Sequence, residues 1–248
     1  MTPKFPSGWN EVADWYDGWV GRDGSEHHRR LAIPAMLDLL TPHAGQHVID
    51  IGAGTGVLAR PIAQIGARYT GIDVSPKLLH MARRYHGEFG HFIQGDARIL
   101  TQHVGRAAFD AAAFLLSIQD MNPLDDVLRA TADVLRPGGI VVIVMTHPCF
   151  RIPRHSGWGY EQGRKLQYRR VDGYLTPLKI PMKQHDGGVT LSFHRPLSEY
   201  INTLAAHHLV VERMEEITTY QRGETRTEQR ANREFPLFMG LRARKIGD

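Results

Sequence analysis

The sequence has very little cysteine and no long apolar run. Cys149 is the single cysteine among 248 residues, which excludes an intramolecular disulfide and a multi-cysteine zinc site. No segment reaches the roughly 18 apolar residues that a membrane-spanning helix needs. The stretch Met1 to Asp17 also lacks the apolar core of a signal peptide. We therefore expect a cytoplasmic protein with no membrane contact, and 42% hydrophobic residues suffice for one continuous core.

Net charge does not single out a partner either. The chain has 30 basic and 26 acidic residues and a formal charge of +4, an excess too mild to indicate a nucleic-acid-binding protein by itself. The basic residues do crowd into one stretch, namely Arg151, Arg154, Arg164, Lys165, Arg169 and Arg170. Any anionic partner is expected to meet that stretch.

Between Gln46 and Thr146, short apolar runs alternate with helical stretches. This alternation is typical of a parallel sheet with crossover helices. The predicted strands are His47 to Ile51, Tyr69 to Val74, His91 to Gln94, Phe109 to Ser117 and Ile140 to Thr146. Ser75-Pro76 predicts the start of a helix that runs through Arg84, with the serine as N-cap. A second helix is predicted over Asp125 to Leu135.

The rhythm breaks after the fifth strand. The stretch His147 to Val189 is rich in Pro, Gly, Arg and Tyr, shows no sustained period, and is too long for a simple connection. Its aromatic residues favour an ordered lid over a disordered segment. Regular structure is predicted to resume with a strand, a helix and two final strands: Thr190 to His194, Pro196 to His207, Leu209 to Thr218 and Phe235 to Arg244. The last two strands are expected to pair antiparallel at the sheet edge.

The sharpest motif is the glycine cluster Gly52-Ala53-Gly54-Thr55-Gly56, which follows the first strand directly. Glycines let the backbone turn tightly and come within contact distance of a ligand that any Cβ would obstruct. A dinucleotide-binding loop needs G-x-G-x-x-G, but here Val57 takes the position of the last glycine. Asp50 also places a carboxylate where a pyrophosphate would be repelled. The pattern favours a cationic or zwitterionic ligand.

This D-x-G-x-G-x-G pattern resembles the first motif of the class I, Rossmann-like methyltransferases, and neighbouring motifs recur in order. Gly71-Ile72-Asp73-Val74 resembles the segment whose acidic residue binds the ribose hydroxyls, and a carboxylate offers the two acceptors that a vicinal diol requires. Gln94-Gly95-Asp96-Ala97 resembles the adenine-binding segment, and Leu135 to Gly139 the turn before the fifth strand. The resemblance covers Gln46 to Thr146 and implies S-adenosyl-L-methionine as cofactor, with S-adenosyl-L-homocysteine as product. The implied cofactor-binding residues are Asp50, Gly52, Ala53, Gly54, Gly56, Asp73, Val74, Asp96, Ala97 and Ser117.

The resemblance also implies the fold and its division. We predict a doubly wound, Rossmann-like α/β fold with a mostly parallel seven-stranded sheet, an antiparallel last strand and an inserted lid. A single methyltransferase domain over residues 1–248 would comprise a helical cover (1–45), a cofactor-binding core (46–146), a substrate lid (147–195) and a C-terminal completion of the sheet (196–248). The segment His147-Pro148-Cys149-Phe150 looks like a bacterial small-molecule subgroup of the family.

Catalytic residues are expected beyond the carboxyl ends of the strands. Asp120 follows the fourth strand and His147 the fifth, so these two are the candidates for a general base, which is needed only if the acceptor is protonated. An ordinary loop carboxylate and an ordinary hydrogen-bonded histidine remain open as alternatives. The candidates for acceptor binding are Tyr16, Trp19, Arg151, Trp158, Tyr168 and His194. No ligand spacing indicates a metal site.

Three functions stay open at this point. Methylation of a small molecule is favoured by the single domain, the N-terminal cover helix resembled by Trp9 to Asp17, and the placement of the insertion. An RNA or protein methyltransferase that uses the basic insertion is the alternative. An NAD-dependent oxidoreductase or a non-catalytic nucleotide-binding module is the third. The sequence does not indicate the oligomeric state.

Overall fold

The computed structural model describes residues 8–183 and 188–247 and contains eleven strands within these ranges. The strands are β1 (His47–Ile51), β2 (Arg68–Asp73), β3 (His91–Gln94), β4 (Phe109–Leu115), β5 (Leu135–Thr146), β6 (Ser156–Glu161), β7 (Leu166–Val171), β8 (Leu178–Lys183), β9 (Val189–His194), β10 (Leu209–Ile217) and β11 (Phe238–Lys245). Seven of them form one sheet in the order β3-β2-β1-β4-β5-β11-β10. Strand β11 runs antiparallel to both of its neighbours, whereas the other pairs are parallel. The predicted fold is confirmed.

Helices cover both faces of this sheet. They are α1 (Ala13–Val20), α2 (Ile33–Leu40), α3 (Ala59–Gln64), α4 (Pro76–His86), α5 (Thr101–Val104), α6 (Leu124–Val134), α7 (Leu197–Ala206) and α8 (Arg226–Glu234). One apolar cluster joins the sheet to α6 and α7 and includes Phe114, Leu128 and Tyr200. A second joins the opposite face to α2, α3 and α4. Burial on both faces explains why β4 reads as a continuous apolar run.

The helix starts follow the local sequence. The Ser75 side chain caps α4 by accepting a hydrogen bond from the Leu78 amide at 3.2 Å, and Pro76 occupies the first turn. Helix α8 begins with a capping box formed by Thr225 and Glu228. Sequence patterning missed α8, because it lies in a strongly polar connection whose only buried residue is Ala231. No described helix has the length and apolarity needed to cross a membrane.

The segment after β5 departs most from expectation. The chain forms two antiparallel hairpins, β6–β7 and β8–β9; β9 agrees with the strand predicted over Thr190 to His194, whereas β6, β7 and β8 lie where no regular period was predicted. Glycine and proline inside the strands hide them, since Gly157 and Gly159 interrupt β6 and Pro181 interrupts β8. The residues between 183 and 188, and those at the two termini, lie outside the described ranges, so the predicted boundaries of the cover and lid segments stay predictions.

Candidate functional site

One cavity of about 430 Å³ opens beyond the carboxyl ends of β1 to β4, where ligands bind in sheets of this type. Its strand-end side consists of residues that end or follow these strands: Gly52, Gly54, Ile72, Asp73, Val74, Gly95, Asp96, Ala97, Arg98, Leu115, Leu116 and Ser117. Its cover side comes from the N-terminal segment, the chain between β4 and α6 with the start of α6, and the second hairpin: Trp9, Tyr16, Asp120, Met121, Asn122, Val127, Lys179, Leu191 and Phe193. The volume suits a small organic ligand.

The glycine turn forms the floor of the strand-end side. Gly52 and Gly54 have φ angles of +76° and +55°, which L side chains rarely adopt. A Cβ at Gly52 would lie 2.6 Å from Cβ of Ser117, and one at Gly54 would lie 3.4 Å from the Tyr16 ring. Gly56 does not line the cavity, and its Cβ would meet the Phe92 ring at 2.7 Å. Packing thus requires glycine at Gly52 and Gly56, and Gly52 and Gly54 place bare backbone in the cavity wall.

Asp73 connects the end of β2 to this turn. Its carboxylate accepts hydrogen bonds from the Gly54 amide at 2.9 Å and the Ser75 amide at 2.8 Å. Burial raises the pKa of Asp73, and these amide bonds partly counter the rise. The carboxylate lines the cavity beside Val74. It therefore offers acceptors with free lone pairs at a fixed position.

Asp96 lies at the end of β3, next to Ala97 in the cavity wall. Nε of Arg98 donates to its two oxygens at 2.9 and 3.1 Å. Burial alone would raise the pKa of Asp96, but the Arg98 hydrogen bonds and charge outweigh burial and hold the pKa below its ordinary value. Asp96 is thus an ionised, oriented acceptor at the far end of the strand-end side.

Asp50 lies beneath the turn rather than in the cavity wall. It is 1% exposed, and its Oδ2 accepts a hydrogen bond from the Tyr69 hydroxyl at 2.8 Å. Burial raises its pKa to about 7, although the Tyr69 bond lowers it. Its Oδ1 has no partner among the described residues. Asp50 and Ala53, both predicted to bind the cofactor, do not line the cavity, while Ser117 does and donates to the Ile51 carbonyl at 2.6 Å.

The chain after β4 contributes a carboxyl group, that of Asp120, to the cover side. Asp120 is half-buried and lines the cavity. Desolvation raises its pKa to about 8, and a hydrogen bond from Ser192 of β9 only partly offsets this. A carboxyl group with a pKa near neutrality can take up a proton from a bound molecule at working pH.

A buried arginine holds this part of the chain in place. Arg195 is 3% exposed and donates through Nη2 to the Met121 carbonyl at 2.8 Å and to Oδ1 of Asn122 at 3.0 Å. Its Nε pairs with Glu199 at 3.2 Å. Arg195 therefore positions residues 120–122 without lining the cavity itself.

The second hairpin and the N-terminal segment close the cover side. Lys179 of β8 lies directly opposite Phe193 of β9 in the hairpin register, and Leu191 lies two residues before Phe193. The N-terminal segment is held on α4, where Oδ1 of Asn10 accepts from the Lys77 amide at 3.2 Å. Sequence reasoning predicted Tyr16 here but missed Trp9, Lys179, Leu191 and Phe193. The alternation of Leu191 and Phe193 was the available signal.

Three predicted site residues do not line the cavity, and their predicted roles stay predictions. Nε2 of His147 lies 3.0 Å from a Glu216 oxygen of β10, and its ring is 1% exposed at the far side of β5. Burial lowers its pKa. Nε2 of His194 lies 2.7 Å from the Tyr174 carbonyl. Trp19 is 52% exposed and packs against other rings of the N-terminal segment.

The first hairpin and Arg151, which precedes it, also do not line the cavity, so the predicted roles of Arg151, Trp158 and Tyr168 stay predictions. The Trp158 ring meets the Phe235 ring edge-on at 5.6 Å. The guanidinium groups of Arg151 and Arg169 lie 5.4 and 5.2 Å from its centroid. These basic and aromatic residues stabilise the hairpin against the chain before β11, because the arginines also donate to the backbone carbonyls of Pro236 and Phe150.

No group of three His, Cys, Asp or Glu side chains is arranged to hold a metal ion within the described ranges. Residues 49–143 match the family model for a methyltransferase domain. That range contains β2 to β4 and most of β1 and β5, including the whole strand-end side of the cavity.

Curated relatives and a solved structure agree with this match. A demethylmenaquinone methyltransferase from Tropheryma whipplei is 34% identical over 154 residues, 59% of this chain and 61% of that protein. A ubiquinone biosynthesis O-methyltransferase from Xanthomonas axonopodis is 29% identical over 49% of this chain and 53% of that protein. The chain thus spans about half to three fifths of these relatives.

A crystal structure of an S-adenosylmethionine dependent methyltransferase from Mesorhizobium loti superposes with a TM-score of 0.70 and 26% identity, and covers 85% of this chain and 96% of that chain. Strand order, cavity position and domain match therefore agree. The chain has a Rossmann-like fold like that of class I methyltransferases, and residues 49–143 are similar to a methyltransferase domain.

Proposed function

We propose that this chain is an S-adenosylmethionine-dependent methyltransferase that acts on a small molecule. The observation that carries the proposal is the glycine turn beside Asp73. Gly52 and Gly54 line the cavity without projecting a side chain into it, and the fixed Asp73 carboxylate lies beside them. The M. loti structure is named for the same cofactor. The curated relatives are named for demethylmenaquinone and ubiquinone biosynthesis, and both of these are small molecules.

The residues of the strand-end side fit the cofactor group by group. Asp73 presents carboxylate oxygens to a vicinal diol, as ribose recognition requires. Asp96 presents an ionised acceptor to an amino group, and the Ala97 amide lies next to it in the wall. The carboxylates attract a positively charged ligand and repel a pyrophosphate. These features favour the methyl donor over NAD.

When bound, the cofactor supplies a methyl group on a sulfonium, which is already activated for transfer. The protein therefore has to orient the acceptor in line and accept a proton where the acceptor carries one. Asp120 is the group on the cover side that can accept this proton. Tyr16 and Phe193 restrict access of water, because both line the cavity above the turn.

Nothing in the geometry favours the RNA or protein alternative. The basic stretch lies on the first hairpin, where its arginines pair with backbone carbonyls and acidic neighbours rather than with the cavity. The subgroup suggested by His147 to Phe150 and the cytoplasmic location stay predictions, since neither the fold nor the cavity bears on them.

Formation of S-adenosylhomocysteine tests the proposal. The purified protein is incubated with S-adenosylmethionine and a small-molecule extract from which macromolecules have been filtered, and the product is measured by mass spectrometry. We expect product that depends on both the protein and the extract. Product that appears only when RNA or protein substrates are added would replace the small-molecule assignment.

A further inference from the structure

The charges that line the cavity are unevenly compensated. Asp73 is held by backbone amides, and Asp96 is paired with Arg98. Lys179 is the other cation in the wall, and among the described residues it forms no ion pair with any carboxylate. Its side chain comes from the second hairpin, on the cover side. An uncompensated ammonium at the edge of a cavity is a site for an anionic group of the ligand.

Lys179 is exposed, and apolar and aromatic residues line the same side of the cavity. Lys179 shares one face of the hairpin with Phe193, because the two residues lie directly opposite each other in the register. Trp9 and Tyr16 line the same side, with ring centroids 5.4 Å apart and an interplanar angle of 83°. Flat aromatic surfaces favour a planar ligand body.

The same side carries the proton acceptor. Asp120 lies in the wall between the glycine turn and the hairpin, and β9 packs directly against the short helical turn that contains it. The cover side thus combines a cation, aromatic surface and a carboxyl group. Each recognises a different part of one molecule.

We propose that the acceptor is a small acidic molecule with a planar apolar body, whose anionic group pairs with Lys179 and whose separate O–H or N–H group faces Asp120. This rests on the proposed methyltransferase function. During transfer, the acceptor heteroatom forms a bond to the methyl carbon and its proton passes to the Asp120 carboxylate. The carbon–sulfur bond breaks and leaves its electron pair on sulfur. The acidic group of the acceptor remains in the product.

A different role for Lys179 is pairing with the carboxylate of the methyl donor itself. The two roles differ in what the loss of the cation impairs. Pairing with the donor predicts weaker binding of S-adenosylhomocysteine, whereas pairing with the acceptor leaves that affinity unchanged.

The test compares Lys179→Met and Lys179→Arg with the wild-type protein. Lys183→Met is the matched control, because Lys183 lies on the same strand, is exposed, and does not line the cavity. Affinity for S-adenosylhomocysteine is first measured by calorimetry. Each protein is then incubated with methyl-labelled S-adenosylmethionine and limiting small-molecule extract, and the labelled products are separated on an anion exchanger at neutral pH.

We expect labelled product that the anion exchanger retains. Lys179→Met should lower its yield about tenfold or more, the effect of one charge-assisted contact. Lys179→Arg should restore most of the yield, Lys183→Met should leave it unchanged, and all variants should bind S-adenosylhomocysteine like the wild type.

Labelled product in the neutral or cationic fraction would overturn this inference and leave the methyltransferase function standing. So would a Lys179→Met variant that keeps its yield, or one that loses affinity for S-adenosylhomocysteine. Absence of labelled product from the wild type, despite binding of S-adenosylhomocysteine, would overturn the proposed function together with the inference.

Discussion

The strand-end side and the cover side of the cavity are built from different levels of the fold. The strand-end side consists of residues that end or directly follow four adjacent strands, so the register of the sheet places them. The cover side is assembled from the N-terminal segment, the chain after β4 and a hairpin inserted after β5. One side follows from the parallel sheet itself, whereas the other depends on segments outside the core of the sheet.

The two sides also differ in how their charges are compensated. On the strand-end side the carboxylates are held by amides or by Arg98. On the cover side the pKa of Asp120 is raised by desolvation, and Lys179 has no carboxylate partner among the described residues. The carboxylates of the strand-end side thus have their partners before a ligand binds, whereas we propose that the acceptor supplies the charge that pairs with Lys179 on the cover side.

The largest effect should come from the arginine that holds the cover side in place. Arg195→Ala should lower the free energy of unfolding by about 4 kcal/mol, because it leaves Glu199 and the Met121 carbonyl without their buried cationic partner. Arg170→Ala is the control, since Arg170 is exposed and pairs with exposed Asp172. Its loss should cost about 0.5 kcal/mol. Urea unfolding measures both, and equal losses would show that Arg195 does not anchor the cover side.

The second-largest effect should come from a methyl group added to the glycine turn, which should lower stability and weaken binding of S-adenosylhomocysteine. Gly52→Ala combines strain at positive φ with contact at 2.6 Å to Ser117, so we expect stability to fall by about 3 kcal/mol and binding of S-adenosylhomocysteine to weaken with it. Gly45→Ala has the same strain, with φ at +85°, but meets no atom within 4 Å. It should cost about 1 kcal/mol and leave binding intact. If the two variants bound S-adenosylhomocysteine equally well, Gly52 would not form part of the cofactor site.

Removal of the acid should affect turnover rather than binding. Asp120→Asn should lower kcat about a hundredfold, while Asp172→Asn should leave it unchanged. In the wild type the rate should rise with pH up to about 8, because the base must be ionised to take the proton. The Asn variant should lose this rise. A variant that keeps both the rate and the pH dependence would exclude Asp120 as the base.

Ionisation of Asp120 should also lower the free energy of unfolding as pH rises. The folded-state pKa of Asp120 lies above its ordinary value, so the unfolded chain ionises first as pH rises. Stability from this group is therefore present below about pH 4 and is lost as pH rises toward 8. Asp120→Asn should unfold with a weaker pH dependence over this window in calorimetric scans.

The smallest effect should be on the transfer rate, and it should differ between variants of the two hairpins. Phe193→Ala removes an aromatic wall of the cover side and should lower the transfer rate at limiting extract about tenfold. Trp158→Ala, on the first hairpin, should change that rate less than twofold, because its ring packs against Phe235 and two arginines outside the cavity. A larger loss from Trp158→Ala would mean that the first hairpin also reaches the acceptor.

Residues of the strand-end side could be predicted from the sequence, because each is marked by a local sequence motif. Gly52, Asp73 and Asp96 each lie at or just after the end of a strand that is recognisable by its apolar run, and parallel strands bring their ends together. The cover side depends on which residues face each other across a hairpin. Lys179 and Phe193 could not be paired from sequence, because Pro181 and the neighbouring glycines disguise the strand pattern.

His147 illustrates the limit of reasoning from position. It follows β5, as expected of a site residue, but its ring points to Glu216 of β10 and its amide donates to the Leu237 carbonyl at 3.0 Å. The direction in which the chain leaves a strand is set by tertiary contacts. Spacing along the sequence does not contain that information.

Calorimetric titration with S-adenosylmethionine, compared with NAD, tests the central claim most directly. We expect heat of binding for S-adenosylmethionine and for its demethylated product, and none for NAD. Binding of S-adenosylmethionine should weaken after Asp73→Ala, which removes the carboxylate beside the glycine turn. Binding of NAD in place of S-adenosylmethionine, or no heat with either compound, would contradict the central claim.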